Sequence, residues 1–266
     1  MTHSPAISII IPLYNKRNAI TATIDSVLSQ SFDAFEVLVV DDGSTDGSAE
    51  LVSDFSDQRL NYYYKQNGGV SSARNYGIKL SKYDCLLFLD ADDVLLPGAL
   101  ASLVSEYGKA DIIAGNFFVT DGLSRGRYLR HQFLGYVLEY EKLMLEKRIF
   151  LRAGNFIASK NSIEKCGFFD ESLSYYEDLD FFLRLLNSAT LYCISDDIMS
   201  YEKRFSDLSN FRPIEKGNFL LSDIDSVIFS KFGKYLRRER LRYLKKSLFA
   251  GRLIHFILNI KIVLWK

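Results

Sequence analysis

The 266-residue sequence is short of several things, and each shortage excludes something. It has three cysteines, Cys85, Cys166 and Cys193, odd in number, scattered and set among apolar neighbours. That pattern excludes a disulfide framework and leads to the expectation of a reduced, cytoplasmic setting. No run reaches the roughly 18 apolar residues of a membrane-spanning helix. Met1 to Pro5 carries neither a basic region nor an apolar stretch, so no secretory signal is expected. The Gly-rich turn of a dinucleotide-binding site is missing after the first strand-like run, where Pro12-Leu13-Tyr14-Asn15 stands instead. Net charge is also missing, with 33 basic and 33 acidic residues. The balance hides an asymmetry: residues 231–266 hold eleven Lys or Arg against one acid, Glu239. No nucleic-acid reading motif accompanies that basic stretch, so nucleic acid is not an expected partner.

What is present is organised around Cys85-Leu86-Leu87-Phe88-Leu89-Asp90-Ala91-Asp92-Asp93. An apolar run of strand length, buried on both faces, breaks into three carboxylates within four residues. In extended chain Asp90 and Asp92 would face one site and Asp93 another. Such oxygens suit a hard divalent ion shared with a phosphate; a solvated acidic loop after a core strand is the alternative.

Strand-like runs and helical periodicities alternate along the first half. Ile7 to Ile11 reads as a strand closed by Pro12, with Tyr14-Asn15-Lys16 as a polar mouth, then a helix capped by Asn18 and running to Ser29. Phe35 to Val40 is a second strand, ending in Asp41-Asp42-Gly43, with a helix from Ser48 to Phe55. Leu60 to Lys65 is a third strand, Asn67-Gly68-Gly69 a turn, and Val70 to Ser81 a helix. After the acidic strand come a helix from Pro97 to Tyr107 and a strand from Asp111 to Val119. This order predicts a mostly parallel α/β sheet flanked by helices, with Tyr14, Asp42 and Asp90 to Asp93 converging at the C-terminal strand ends where such sheets bind ligands.

The second half is less regular. Gly122 to Gln132 reads as a loop rich in Arg125, Arg127 and Arg130, either a cover for the cleft or plain surface. Glu139 to Arg148 should be helical, and Asn155 to Ser159 and Leu191 to Ile194 strands, the latter followed by Asp196-Asp197. In the helix that begins at Glu177-Asp178, Leu179, Phe182, Leu183 and Leu186 form the buried stripe. Its two leading acids sit where exposed N–H groups favour carboxylates, so capping explains them as readily as function.

Four segments then resemble one family. They are Ser8-Ile9-Ile10-Ile11-Pro12-Leu13-Tyr14-Asn15, Val39-Val40-Asp41-Asp42-Gly43-Ser44-Thr45-Asp46, Asn67-Gly68-Gly69-Val70-Ser71-Ser72-Ala73-Arg74-Asn75-Tyr76-Gly77, and Leu89-Asp90-Ala91-Asp92-Asp93. With Phe169-Asp170-Glu171-Ser172-Leu173 and Glu177-Asp178-Leu179-Asp180 downstream, the sequence over about residues 6–202 resembles family 2 glycosyltransferases of the GT-A fold, which is Rossmann-like. The resemblance implies inverting transfer of a sugar from a nucleotide diphosphate, expected to be a UDP-sugar, to a hydroxyl of a saccharide acceptor. For a chain of this kind it further implies a bacterial enzyme acting on a lipid-linked (polyprenyl) acceptor in surface polysaccharide synthesis, O-antigen or capsule. Pro12 and Tyr14 would border the base, Asp42 would hold the uracil, Arg74 would lie near the base or diphosphate, and Asp90 near the ribose. Asp92 would bind Mn²⁺ or Mg²⁺ with Asp93 as neighbour, and Asp178, beside Glu177, would be the catalytic base. The sequence departs from the family at Tyr201-Glu202-Lys203-Arg204-Phe205-Ser206, where many members carry a His that completes the metal site; Lys203 or Arg204 would help hold the diphosphate.

The expected organisation is a glycosyltransferase unit over 1–210, with a nucleotide half at 1–119 and an acceptor half at 120–210, and a helical basic region over 211–266. In that region Tyr235, Leu236, Leu241, Leu244, Leu248, Phe249 and Leu253 are interleaved with cations. It would either lie peripherally on the inner membrane face, apolar side inward, or pack on its own acidic domain. Two other functions compete: a haloacid-dehalogenase-like phosphatase with Asp90 as nucleophile, and a catalytically silent nucleotide or glycan binder on the same fold.

Overall fold

A computed structural model describes residues 5–120, 125–129, 133–202 and 226–249. Four parallel strands form its first half: β1 (Ile7–Leu13), β2 (Phe35–Asp41), β3 (Leu60–Tyr64) and β4 (Cys85–Phe88). In register Ile7 lies beside both Phe35 and Cys85, which makes β1 an inner strand. Alternate residues of these strands feed different cores. Ile7, Ile9, Ile11, Val37 and Val39 pack on one face, and Ile10, Leu38, Leu86 and Phe88 on the other. That is the two-residue period of strands covered on both sides. β3, at the sheet edge, is only partly buried, which explains the weak alternation of its tyrosines.

The helices α1 (Ile20–Leu28), α2 (Ser48–Ser53) and α4 (Ala99–Ser105) contribute to the first core, while α3 (Val70–Leu80) crosses the second face. α3 lies so close to β1 that a Cβ at Gly77 would stand 2.4 Å from Ile10 Cγ2. Only glycine lets this helix bring its N-terminus, and the turn before it, down to the strand ends.

The rest comprises β5 (Asp93–Leu95), β6 (Ile112–Thr120), β7 (Arg125–Arg127), β8 (Gly135–Tyr136), α5 (Tyr140–Leu145), β9 (Phe156–Ser159), α6 (Lys160–Cys166), α7 (Glu177–Ser188), β10 (Leu191–Glu202) and α8 (Ser226–Phe249). The sheet order is β3-β2-β1-β4-β9-β6-β10-β5, with β7 on β6 and β8 on β10. Its longer ladders are parallel; β9 runs antiparallel between β4 and β6. An aromatic cluster carries α7: Phe88 meets Phe169 edge-on at 5.2 Å, and Phe169 stacks on Phe181 at 3.9 Å.

Several local expectations are corrected. Pro12 lies inside β1, opposite Val40, rather than ending it. The ladder to β4 stops at Ile10, so on that side Pro12 has no partner to supply with a hydrogen. Asn18 does not cap α1; Ala19 precedes the helix without a side-chain cap, and Lys16 O accepts from Ala19 N and Ile20 N. Asp196 and Asp197 do not follow a strand. They sit in an irregular stretch within β10, where Asp197 accepts from Asn116 Nδ2 at 2.9 Å and from Arg127 at 2.6 Å. Part of the expected 122–132 loop is β7; Arg130 lies outside the described residues.

The basic helix shows a comparable division. In α8 the side chains of Ile228, Phe232, Tyr235 and Leu236 are buried in the core shared with α7 and α5, so Tyr235 and Leu236 do not face lipid. The helix bends at Phe232, and past the bend the N–H groups of Lys234 and Tyr235 donate to Glu141 Oε1. In return Arg238 donates to the carbonyls of Met144 and Leu145 at the end of α5. Residues 250–266, with Leu253, lie outside the described residues.

Candidate active site

Because β1 to β4 are parallel, the segments that follow them open on one edge of the sheet. Asp42, after β2, is 3% exposed and fully engaged: Oδ1 accepts from Lys65 Nζ and Gly68 N, and Oδ2 accepts from Gly69 N at 2.7 Å. Gly69, with φ +90°, makes the turn into α3 that aims these two amides at the carboxylate. Asp41 serves the scaffold instead, accepting from Ser44 N and the Tyr62 hydroxyl. Tyr14, half exposed at the end of β1, stands at the mouth, and Asn15 in left-handed conformation exchanges hydrogen bonds with Ser44 and Thr45. Pro12 is buried within β1 itself, one residue before the strand end.

The acidic stretch is not extended. β4 ends at Phe88, and Asp93 N donates to Asp90 O, closing a tight turn before β5 begins at Asp93. The three carboxylates therefore diverge by turn geometry, and each meets its own cation. Asp90 accepts from Arg74 at 2.7 Å, Asp92 from Lys16 at 2.9 Å, and Asp93 from Arg152 at 3.3 Å. Arg152 also comes within 4.0 Å of Asp90, and its guanidinium lies 3.5 Å from the centre of the Tyr201 ring. Burial pushes Asp90 upward, but the two guanidinium groups outweigh it and hold its carboxyl below the ordinary range. Burial and then the neighbouring Asp90 raise Asp92 in spite of Lys16. Burial raises Asp93 strongly against the pull of Arg152.

Across the mouth stands the first turn of α7. Tyr176, with φ +60°, turns the chain into the helix, and Glu177 accepts from the same Arg74 at 3.4 Å. Asp178 Oδ1 accepts from Leu179 N, a local bond, and its charge is felt at Arg74 and Arg152. The next residue of α3, Asn75, holds the turn ahead of α7: it donates to Phe169 O and Glu171 and accepts from Phe169 N. Burial, then Asp178, raises Glu177 to about 7, with Arg74 opposing.

One network thus unites Asp90, Asp92, Asp93, Glu177 and Asp178 with Lys16, Arg74 and Arg152. Burial raises Asp93 to about 8 and Glu177 to about 7, so near neutral pH neither carries a full negative charge and the three cations balance most of what remains. No group of three or more potential metal ligands is assembled among the described residues. Lys203 and Arg204 lie outside the described residues, as do all three histidines. Sequence reasoning did not single out Arg152 or Lys65. Neither falls in a recognisable motif, and only the folded sheet shows which acid each one serves.

The profile of glycosyl transferase family 2 matches residues 8–169. An uncharacterized glycosyltransferase of Rickettsia typhi is 32% identical over 258 residues, covering 92% of this chain and 77% of its own. One from Rickettsia felis is 30% identical, and there this chain spans 43% of the relative's length. Among solved structures, S. aureus TarS 1–349 superposes with a TM-score of 0.64 at 25% identity, over 74% of this chain and 60% of that one. TarS 1–349 solved with UDP-GlcNAc gives 0.66 at 21% identity over 94% and 72% of the two chains, a likeness of fold. The family match covers the strand ends, the Asp42 cradle and the acidic turn described above: this chain belongs to glycosyl transferase family 2.

Proposed function

We propose that this protein transfers a sugar, with inversion, from a nucleotide diphosphate donor, a UDP-sugar, to a hydroxyl of a saccharide acceptor. The observation that carries the reading is the meeting of two acid groups at Arg74, which pairs with Asp90 of the turn after β4 and with Glu177, the neighbour of Asp178, in the first turn of α7. In-line displacement needs the leaving group and the base on opposite sides of the sugar, which separate segments supply. Pro12 and Tyr14 border the base and Asp42, with its Gly68-Gly69 turn, receives the uracil. Asp90 takes the ribose, kept in place from below by Arg74. Asp178 removes the proton of the attacking hydroxyl, and Lys203 and Arg204 are further candidates for the diphosphate. Asp92 is the residue that would hold Mn²⁺ or Mg²⁺, which when bound supplies Lewis-acid neutralisation of the departing diphosphate. TarS, solved with UDP and with UDP-GlcNAc, supports this choice of donor by its fold. A phosphatase would need Asp90 as a free nucleophile, whereas Arg74 holds it.

Calorimetric titration with UDP, with Mn²⁺ and then with EDTA, tests the site. Metal-dependent binding that Asp92→Ala weakens is the expected result; failure of UDP, GDP and dTDP alike would refute the reading. A turnover assay with the bound donor's sugar then separates the enzyme from a silent binder.

The acceptor proposed by resemblance is lipid-linked, and its synthesis would take place at the cytoplasmic face of a membrane. No helix among the described residues is long and apolar enough to cross a membrane. Lys231, Lys234, Arg237 and Arg242 are exposed on α8 and provide cations for peripheral contact with anionic headgroups. Co-sedimentation with anionic liposomes at low salt is expected, and absence of pelleting would remove this contact.

A further inference from the structure

The acid proposed to receive the donor's base is engaged at both oxygens by its own chain, and one acceptor position short of full. A carboxylate offers about four lone-pair positions. On Asp42, Oδ1 accepts from Lys65 Nζ and from Gly68 N, and Oδ2 accepts from Gly69 N. The two amides belong to a loop tied to the acid it serves, since Asn67 Nδ2 donates to Asp42 O at 2.9 Å. The other donor is a side chain. Lys65 N donates to Asp41 O just past the end of β3, and the ammonium also reaches Gln66 O at 2.8 Å. It can lie over the turn because residue 68 is glycine: a Cβ there would stand 3.0 Å from Lys65 Nζ.

One acceptor position therefore remains, on Oδ2, and the Asp42 side chain is only 4% exposed. Lys65 has three N–H donors, of which Asp42 and Gln66 take two, so one is left for a base carbonyl. Uracil and thymine fit this pair of groups, because each has a single ring N–H flanked by carbonyls. Guanine does not. It meets a carboxylate through adjacent ring and amino N–H groups, one to each oxygen, and Oδ1 is already filled. We infer that Lys65 is a base-selectivity residue: by occupying Oδ1 it reduces Asp42 to a single acceptor, which with the remaining Lys65 N–H reads the imide edge of uracil or thymine and excludes guanine. This rests on the reading of Asp42 as the base site. Selectivity arises because guanine would bury an amino group with no acceptor.

The test is calorimetric titration of the full chain and its Lys65→Met and Lys65→Ala variants with UDP and GDP under one buffer condition. The two ligands share ribose and diphosphate, so the ratio of their affinities reports the base alone. Native protein should bind UDP about a hundredfold more tightly than GDP. In the variants UDP should weaken about tenfold, the effect of one charge-assisted bond, while GDP stays near its native affinity because the freed position on Oδ1 accepts the guanine amino group. The ratio therefore falls about tenfold. Thermal melting shows which variants are folded, and either one suffices. An equal loss of UDP and GDP, the result of a merely structural lysine, would overturn the inference, as would native protein that binds GDP as tightly as UDP; both leave a nucleotide donor site standing. Native protein that binds neither nucleotide would overturn the inference and the base site together.

Discussion

Arg74 lies 2.7 Å from Asp90 and 3.4 Å from Glu177, with its side chain 5% exposed, so one buried guanidinium joins the acidic turn of the first half to the helix of the second. Its location under Asp90 makes it a brace for the site. Replacing it by Met leaves two carboxylates without their shared cation, and the loss of stability should be about 3–5 kcal/mol. Chemical denaturation measures it; a loss below about 1 kcal/mol, the range of an exposed ion pair, would show that the brace is not needed.

Glu177 supplies a pH test. Its carboxyl, facing Arg74, Asp178 and Asp90, is raised from 4.5 to about 7, first by burial. The folded protein therefore holds this proton more tightly than the unfolded chain does. The corresponding stability is fully present below 4.5 and is lost as pH rises through about 7. In Glu177→Gln this titration is gone, so the variant should gain on native protein between pH 5 and pH 8, by up to about 3 kcal/mol. Parallel denaturation curves across that range, with a constant difference, would contradict the assignment.

Gly77 decides how closely α3 approaches β1. In Gly77→Ala the added methyl meets Ile10 at 2.4 Å, and the helix must shift outward. We expect a loss of about 1–3 kcal/mol, as for overpacked cores. UDP affinity should fall as well, because Gly68 and Gly69 at the other end of this helix hold Asp42. Thermal melting and calorimetry check the two effects separately.

Phe232 tests whether α8 is part of the folded unit. The side chain is fully buried, 6.5 Å from the ring of Tyr140. Phe232→Ala should cost about 3–5 kcal/mol in a single cooperative transition. A native-like melting curve would mean that the helix is an independent appendage.

Much of this protein is set by its sequence. The unbroken Ile and Val runs of β1 and β2 can be satisfied only by cover on both faces, and the strand–helix alternation then requires parallel neighbours. From this the convergence of Tyr14, Asp42 and the acidic stretch at one edge follows with no knowledge of contacts. The helix of Asp178 was also legible, since Leu179, Phe182, Leu183 and Leu186 recur at helical spacing. The tertiary structure alone decided what depends on partners distant in sequence. Arg152 meets Asp93 from 59 residues away, and Arg74 meets Glu177 across 103, so neither pairing leaves a local pattern. Short β5 and β7 were invisible for the same reason, because they are strands only by virtue of the neighbours that pair with them. The turn of Asp90 to Asp93 was misjudged as extended because local alternation cannot register the bond from Asp93 N to Asp90 O that bends it. Composition and periodicity act along the chain and fix the elements; charge pairing acts through space and fixes the site.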